Sequence, residues 1–148
     1  MLFKVIVWLL PALAQQPAYG RLIERNARVH RLDPLLIVAV IKVESNGYVR
    51  ATSPTNDYGL MQLHVSRTTH RRFRGREHLL LEPARNIRLG ARMLRFWRRH
   101  HRKHCKGSRH HWWAHYNWGY RVRSREYGKK VHKVYRQARR RAGHPEVS

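Results

Sequence analysis

The stretch DPLLIVAVIKVESNGY, Asp33 to Tyr48, decides how the chain reads. From Leu35 to Ile41 it contains nothing but Leu, Ile, Val and Ala. Asp33 is a favourable N-cap, because its carboxylate can accept an unpaired backbone N–H of a first helical turn, and Pro34 suits the first helical position, where no N–H is needed. Asn46-Gly47 supplies a stop, since both residues tolerate left-handed backbone. The pattern predicts a helix over 33–45. On it Ile37, Val40, Ile41 and Glu44 fall at i, i+3, i+4 and i+7 and share one face, with Lys42 roughly opposite. Glu44 therefore sits on the buried face at the last turn. Apolar surroundings disfavour its charged form, and so does the negative end of the helix dipole. A carboxyl kept protonated near neutral pH is what a general acid needs. The same features also fit a structural glutamate paired with one of the chain's many arginines.

Carboxylates are scarce elsewhere: 8 Asp and Glu stand against 32 Lys and Arg, for a net charge of +24 over 148 residues. The length fits one domain with a real core. The charge implies anionic partners, whether nucleic acid, phospholipid, lipopolysaccharide or cell-wall polymers, and does not choose among them. No stretch reaches the roughly 20 apolar residues of a bilayer-spanning helix. A single cysteine, Cys105, excludes an internal disulfide and leaves both redox compartments open. Residues 1–14, MLFKVIVWLLPALA, carry Lys4, an apolar run from Val5 to Leu10, Pro11, and small residues at 12 and 14. They read as a cleavable export signal, which places the mature protein in the periplasm or outside the cell. An uncleaved anchor or a first core helix are the other readings.

Helical periodicity dominates the remainder. Tyr19 to Arg31 is amphipathic, with Leu22, Ile23 and Ala27 on one side. Residues 46–58 are rich in turn formers, with room for one small hairpin. GLMQLHVSRTTHRRF predicts a helix restarting near Leu60, EPARNIRLGARMLRFWRRHH a long helix, HHWWAHYNWGY a short aromatic one ending near Gly119, and SREYGKKVHKVYRQARRR a last one with Val131, Val134 and Tyr135 in register. The expected fold is mainly α, organised as a signal or anchor at 1–14, a catalytic domain at 15–141 and a tail at 142–148.

Four short segments narrow the reading. ES (Glu44, Ser45) is followed by YGLMQL (Tyr58 to Leu63), NIRLGARML (Asn86 to Leu94) and HYNWG (His115 to Gly119). In this order and at these gaps they resemble the soluble lytic transglycosylase family over about residues 20–137, with wording closest to small exported or phage-borne members. The resemblance implies a lysozyme-like α-helical domain acting on the glycan strands of peptidoglycan. It implies Glu44 as the single catalytic acid and Ser45 as a residue helping to hold it. It makes Gly59, Leu60, Met61 and Gln62 the floor of the substrate groove, and Tyr116 and Asn117 a pair beside the acid. Asn86, Leu89 and Gly90 match a scaffold segment. His115, where a small residue is usual, and Trp118-Gly119-Tyr120, in place of Ala-Gly-Pro, depart from the family pattern and put the shape of one groove wall in question.

The resemblance also implies a mechanism that needs one carboxylate: Glu44 protonates the bond between N-acetylmuramic acid and N-acetylglucosamine, then takes the proton from the muramic 6-hydroxyl as a 1,6-anhydro ring closes. A hydrolytic lysozyme or phage lysin on the same fold is the alternative, and it calls for a second carboxylate. Asp57 is the other acidic residue of the motif region, and it reads as a turn former beside Asn56. Trp112, Trp113, Tyr116, Trp118 and Tyr120 suit either sugar stacking or core packing. His100 and His104 have i, i+4 spacing within RRHHRKHC, but no partner pair at standard spacing follows, so a basic solvated face is expected, with no metal and no cofactor. A basic nucleic-acid-binding protein is a further alternative; the charge is spread along the chain, so nucleic-acid binding is expected to be non-specific. The expected partners are glycan strands and anionic envelope polymers, and the expected state is monomeric.

Overall fold

Helix α4 (Pro34–Ser45) is the axis of the core, and Leu35 to Ile41 are buried all round. A helix apolar on every side has to be surrounded. Asp33 caps it, its Oδ1 accepting the Leu35 N–H at 2.8 Å, and Asn46 closes it in left-handed conformation. The computed structural model of the chain describes residues 2–14, 16–66 and 68–144. Met1, Gln15, Arg67 and residues 145–148, most of the expected tail, lie outside them. Around α4 stand α1 (Leu2–Leu9), α3 (Ala18–His30) and α7 (Glu126–Arg141), with α2 (Pro11–Ala14) following α1, and α5 (Pro83–His104) packing on α3. Short 3-10 turns occur at Arg71–Phe73, Glu77–Leu81 and Trp112–Ala114, the last leading into α6 (His115–Trp118). The architecture is mainly α, with one two-stranded hairpin among the described residues.

Helix α7 runs antiparallel to α4 and is pinned to it at both ends. The Tyr135 hydroxyl (2.6 Å) and Arg139 Nη1 (3.2 Å) donate to Asp33 Oδ2, and the Tyr127 hydroxyl donates to Glu44 Oε1 at 2.5 Å. Residues Leu2 to Leu13 put Leu2, Val5, Ile6, Leu9, Leu10 and Leu13 into the core and leave Phe3, Val7 and Trp8 outside.

The helix expected to restart near Leu60 is not formed. The hairpin lies there instead, with β1 (Asp57–Tyr58) antiparallel to β2 (Leu63–His64), so its first strand closes the 48–58 loop in which one was expected and its second lies beyond it. The reason is backbone conformation. Gly59 (φ +76°) and Gln62 (φ +44°) are left-handed, which no α-helix accommodates, and a tight turn between the strands needs them. Glycine is required at 59 for space as well, because a Cβ there would stand 2.3 Å from Asn86 Nδ2. The expected aromatic helix is likewise shorter, its first turn being 3-10 and its end set by Gly119 at φ +70°.

Asn86, fully buried on α5, holds this turn. Its Oδ1 accepts the Met61 N–H at 2.8 Å, and its Nδ2 donates to the carbonyls of Tyr58 (2.8 Å) and Leu80 (2.6 Å). Gly90, one turn further on, lets Met61 lie directly against the helix. Asn86→Leu leaves these three backbone groups without a partner, at about 1–3 kcal/mol each. The expected loss of stability is on the order of 3 kcal/mol or more, seen as a lower urea midpoint at unchanged m-value. Wild-type stability in that variant would show that Asn86 does not hold the turn.

Candidate active site

Glu44 ends the buried helix, and the chain leaves a cleft on each side of it. One, of about 460 Å³, is lined by Glu44, Asp57, Gln62, His64, Trp97 and Tyr116 among others. The second, of about 380 Å³, is lined by Glu44, Val43, Ser124, Glu126, Tyr127 and Lys130. Asn117 and Trp118 border both. The two clefts meet at Glu44, the one carboxyl that lines both, and together they are called the groove.

Burial pushes the Glu44 carboxyl up to about 7, above its ordinary 4.5; the Tyr127 hydrogen bond works against this and the negative charge of Asp57 adds to it. Loss of hydration outweighs the hydrogen bond. Tyr127 is held well above its ordinary range by burial and then by Glu44, so its hydroxyl keeps its proton and stays a donor. Tyr116 is raised likewise, but its hydroxyl donates to the Met61 carbonyl at 2.8 Å and not to Glu44.

Asp57 sits at the start of the hairpin with both oxygens engaged. The hydroxyls of Ser53 and Thr55 each donate to Oδ2 at 2.5 Å, and His64 Nδ1 lies 3.0 Å from Oδ1. The turn-forming role expected from sequence and a place in the cleft are both present in this residue.

The remaining residues singled out from sequence divide in two. Gln62, Tyr116 and Asn117 line the groove. The Gln62 amide nitrogen donates inward, to the carbonyls of Gly59 (3.0 Å) and Ala51 (3.2 Å), which leaves Oε1 as the acceptor for a ligand. Gly59, Leu60 and Met61 are buried beneath the groove, with Leu60 and Met61 in the main core. The Ser45 hydroxyl donates to the Leu60 carbonyl at 2.8 Å, tying α4 to the turn next to Glu44. Sequence reasoning missed Tyr127. A signal existed, since Tyr127, Val131 and Tyr135 are spaced i, i+4, i+8 on α7, and extending that face by one turn reaches Tyr127. His64, Trp97 and Met93 were also missed as lining residues, and only the fold brings them to the cleft. Four potential metal ligands that do not line either cleft converge at His101, Cys105, His110 and His115.

The sequence model of a family described as "Transglycosylase SLT domain" matches residues 21–138. Proteins of Salmonella paratyphi B, Salmonella enteritidis PT4 and Salmonella typhimurium named "Endo-type membrane-bound lytic murein transglycosylase A" are each 44% identical over 78 residues. Each match covers 48% of this chain and 38% of the relative.

A carboxyl whose folded pKa lies above its unfolded value contributes stability that is complete below about 4.5 and lost as pH rises through about 7. Glu44→Gln keeps the shape and the acceptor for Tyr127 but cannot titrate. The variant is expected to match the wild type in stability near pH 4, to exceed it increasingly as pH rises from about 4.5 to about 7, and to hold a constant lead of about 3 kcal/mol above that. Denaturant titrations of both proteins across that range measure the gap. Parallel curves would show that the Glu44 carboxyl is not desolvated.

Proposed function

The chain belongs to the Transglycosylase SLT domain family, and on that footing we propose that it is a peptidoglycan lytic transglycosylase with Glu44 as its one catalytic carboxyl. The observation that supports the reading is a desolvated, protonatable carboxyl shared by two adjoining clefts. A glycan strand lies along the groove with its scissile bond over Glu44. Tyr127 occupies Oε1, so Oε2 presents the proton to the oxygen between N-acetylmuramic acid and N-acetylglucosamine. As that bond breaks, the sugar's N-acetyl group supports the developing positive centre, and carboxylate Glu44 then accepts the proton of the muramic 6-hydroxyl. The oxygen so freed closes the 1,6-anhydro ring, no water is consumed, and Glu44 returns to its protonated form. Gln62 Oε1 and Asn117 bind polar groups of the sugars, and Tyr116 holds the turn that carries Gln62.

Peptidoglycan lies outside the cytoplasmic membrane, so export to the periplasm or beyond belongs to the same proposal. Among the described residues no helix is long and apolar enough to cross a membrane. The net charge of +24 supports binding to anionic wall polymers. It makes non-specific nucleic-acid binding an accompaniment and not the function.

A hydrolytic lysozyme mechanism is the second reading, because Asp57 shares the cleft with Glu44. Its engaged oxygens speak against a free base that activates water. The products distinguish the two. Digestion of purified peptidoglycan in heavy-oxygen water, read by mass spectrometry without reduction, is expected to give anhydro ends free of label. Labelled reducing ends would overturn the proposal and promote Asp57. Glu44→Gln is expected to lower turbidity loss by roughly 10²–10⁴-fold, while Asp57→Asn keeps most of it.

The pH profile offers a separate check. Activity needs protonated Glu44 and is expected to fall as pH rises through about 7. Tyr127→Phe removes the hydrogen bond that favours the carboxylate, so the falling limb should move to higher pH. An unmoved limb in a folded, active variant would show that Tyr127 does not tune the acid.

A further inference from the structure

The segment RRHHRKHC, expected to be a solvated basic face, meets a buried histidine from further along the chain through His101 and Cys105. His115, the first residue of α6, is 1% exposed. Its Nδ1 lies 2.7 Å from the Gly119 carbonyl, which can only accept, so Nδ1 carries the proton and Nε2 holds a lone pair. Three groups crowd that lone pair: His101 Nδ1 at 3.3 Å, His110 Nε2 at 3.3 Å and Cys105 Sγ at 3.6 Å. One in-plane lone pair accepts one good hydrogen bond, so at most one of the three neighbours can be paired with it through a proton. We infer that His101, Cys105, His110 and His115 form a zinc site, built from the last turn of α5, the loop after it and the start of α6.

The distances fit. Zinc bonds of about 2.0–2.1 Å to nitrogen and 2.3 Å to sulfur, set tetrahedrally, place two ligand nitrogens about 3.3 Å apart and nitrogen and sulfur about 3.6 Å apart. The three contacts of His115 Nε2 have these values; the four ligand atoms together lie within 4.8 Å of one another, so the wider pairs close by roughly 1 Å as the ion binds. Three imidazoles and one thiolate are a nitrogen–sulfur set that selects zinc over the oxygen-seeking cations. Outer contacts fix the rings as metal sites require: Gly119 O orients His115, and Ser108 Oγ lies 3.3 Å from His101 Nε2. On binding, the Cys105 thiol gives its proton to solvent and the imidazoles enter neutral. The thiolate offsets one charge of the ion in a neighbourhood that also holds Arg102, Lys106 and Arg109.

Four protein ligands close the coordination shell, so the ion is structural and takes no part in sugar chemistry. It would clamp the end of α5 to α6, which carries Tyr116, Asn117 and Trp118 into the groove wall. Trp97 of the groove stacks on His115 at 5.6 Å between ring centroids and 13° between planes, continuing the same brace. The pairing legible in sequence, His100 with His104, lies one residue away from the pair that converges, His101 with Cys105. His115 breaks the family pattern at one position and becomes the centre of the cluster.

The test uses the full chain, stripped by a chelator and titrated with zinc alone and with cobalt(II) alone. One equivalent of zinc per chain is expected. Cobalt should give the visible bands of a tetrahedral site and a near-ultraviolet thiolate-to-cobalt charge-transfer band. Cys105→Ser should lose the charge-transfer band, and both Cys105→Ser and His110→Gln should weaken zinc binding at least about tenfold. His104→Gln should bind as the wild type does. Absence of stoichiometric zinc in the wild type, or wild-type zinc binding by the Cys105 and His110 variants, would overturn the assignment and leave adventitious binding by surface histidines. If Cys105→Ser does not fold, His110→Gln, at a half-buried loop position, decides.

Discussion

The constraint on which the rest depends is that α4 has no polar face. A helix buried from Leu35 to Ile41 can exist only if other elements surround it, and α1, α3, α7 and the turn at Leu60 and Met61 do so. Its polar ends then become the places where covering elements are fixed. Asp33 receives Tyr135 and Arg139, and Glu44 receives Tyr127. The two attachments set the position of α7 along α4. The burial that completes the packing at Glu44 removes water from its carboxyl and raises its pKa, while the Tyr127 hydrogen bond works in the other direction.

The groove floor is held by hydrogen bonds and not by regular structure. The turn from Tyr58 to Leu63 makes few bonds within itself, and its buried backbone groups find partners in Asn86, Ser45 and Tyr116. Each of these side chains comes from a different helix, so the turn's hydrogen bonds are complete only with α4, α5 and α6 in place. Gln62 keeps a left-handed backbone at φ +44°, unfavourable for a residue with a side chain, and its inward amide bonds to Ala51 and Gly59 stabilise it there. Strain at a groove residue is tolerated because the surrounding bonds over-determine it.

The opposite wall depends on the cluster around His115. Only His101 and Cys105 share a helical spacing, i, i+4; His110 comes from a loop and His115 from the next helix. A metal clamp there would give α6, only one turn long, the rigidity that its length does not provide.

The sequence by itself determined α4 and its caps, the long helices 83–104 and 126–141, the family resemblance and the raised pKa of Glu44. These rest on local information: helical period, capping chemistry, and one carboxyl placed on an apolar face. Tertiary structure alone decided what lies beside that carboxyl. Tyr127 stands 83 residues from Glu44, and the helix expected near Leu60 gave way to a hairpin whose backbone partners are supplied by Asn86, 25 residues further on. It also separated Leu60 and Met61, which lie beneath the groove, from Gln62, Tyr116 and Asn117, which line it. It brought His101, Cys105, His110 and His115 to one point as well. The physical reason is common to all of these. Hydrogen-bond satisfaction in the interior and convergence of ligand atoms depend on distances through space, and helical periodicity carries none of them.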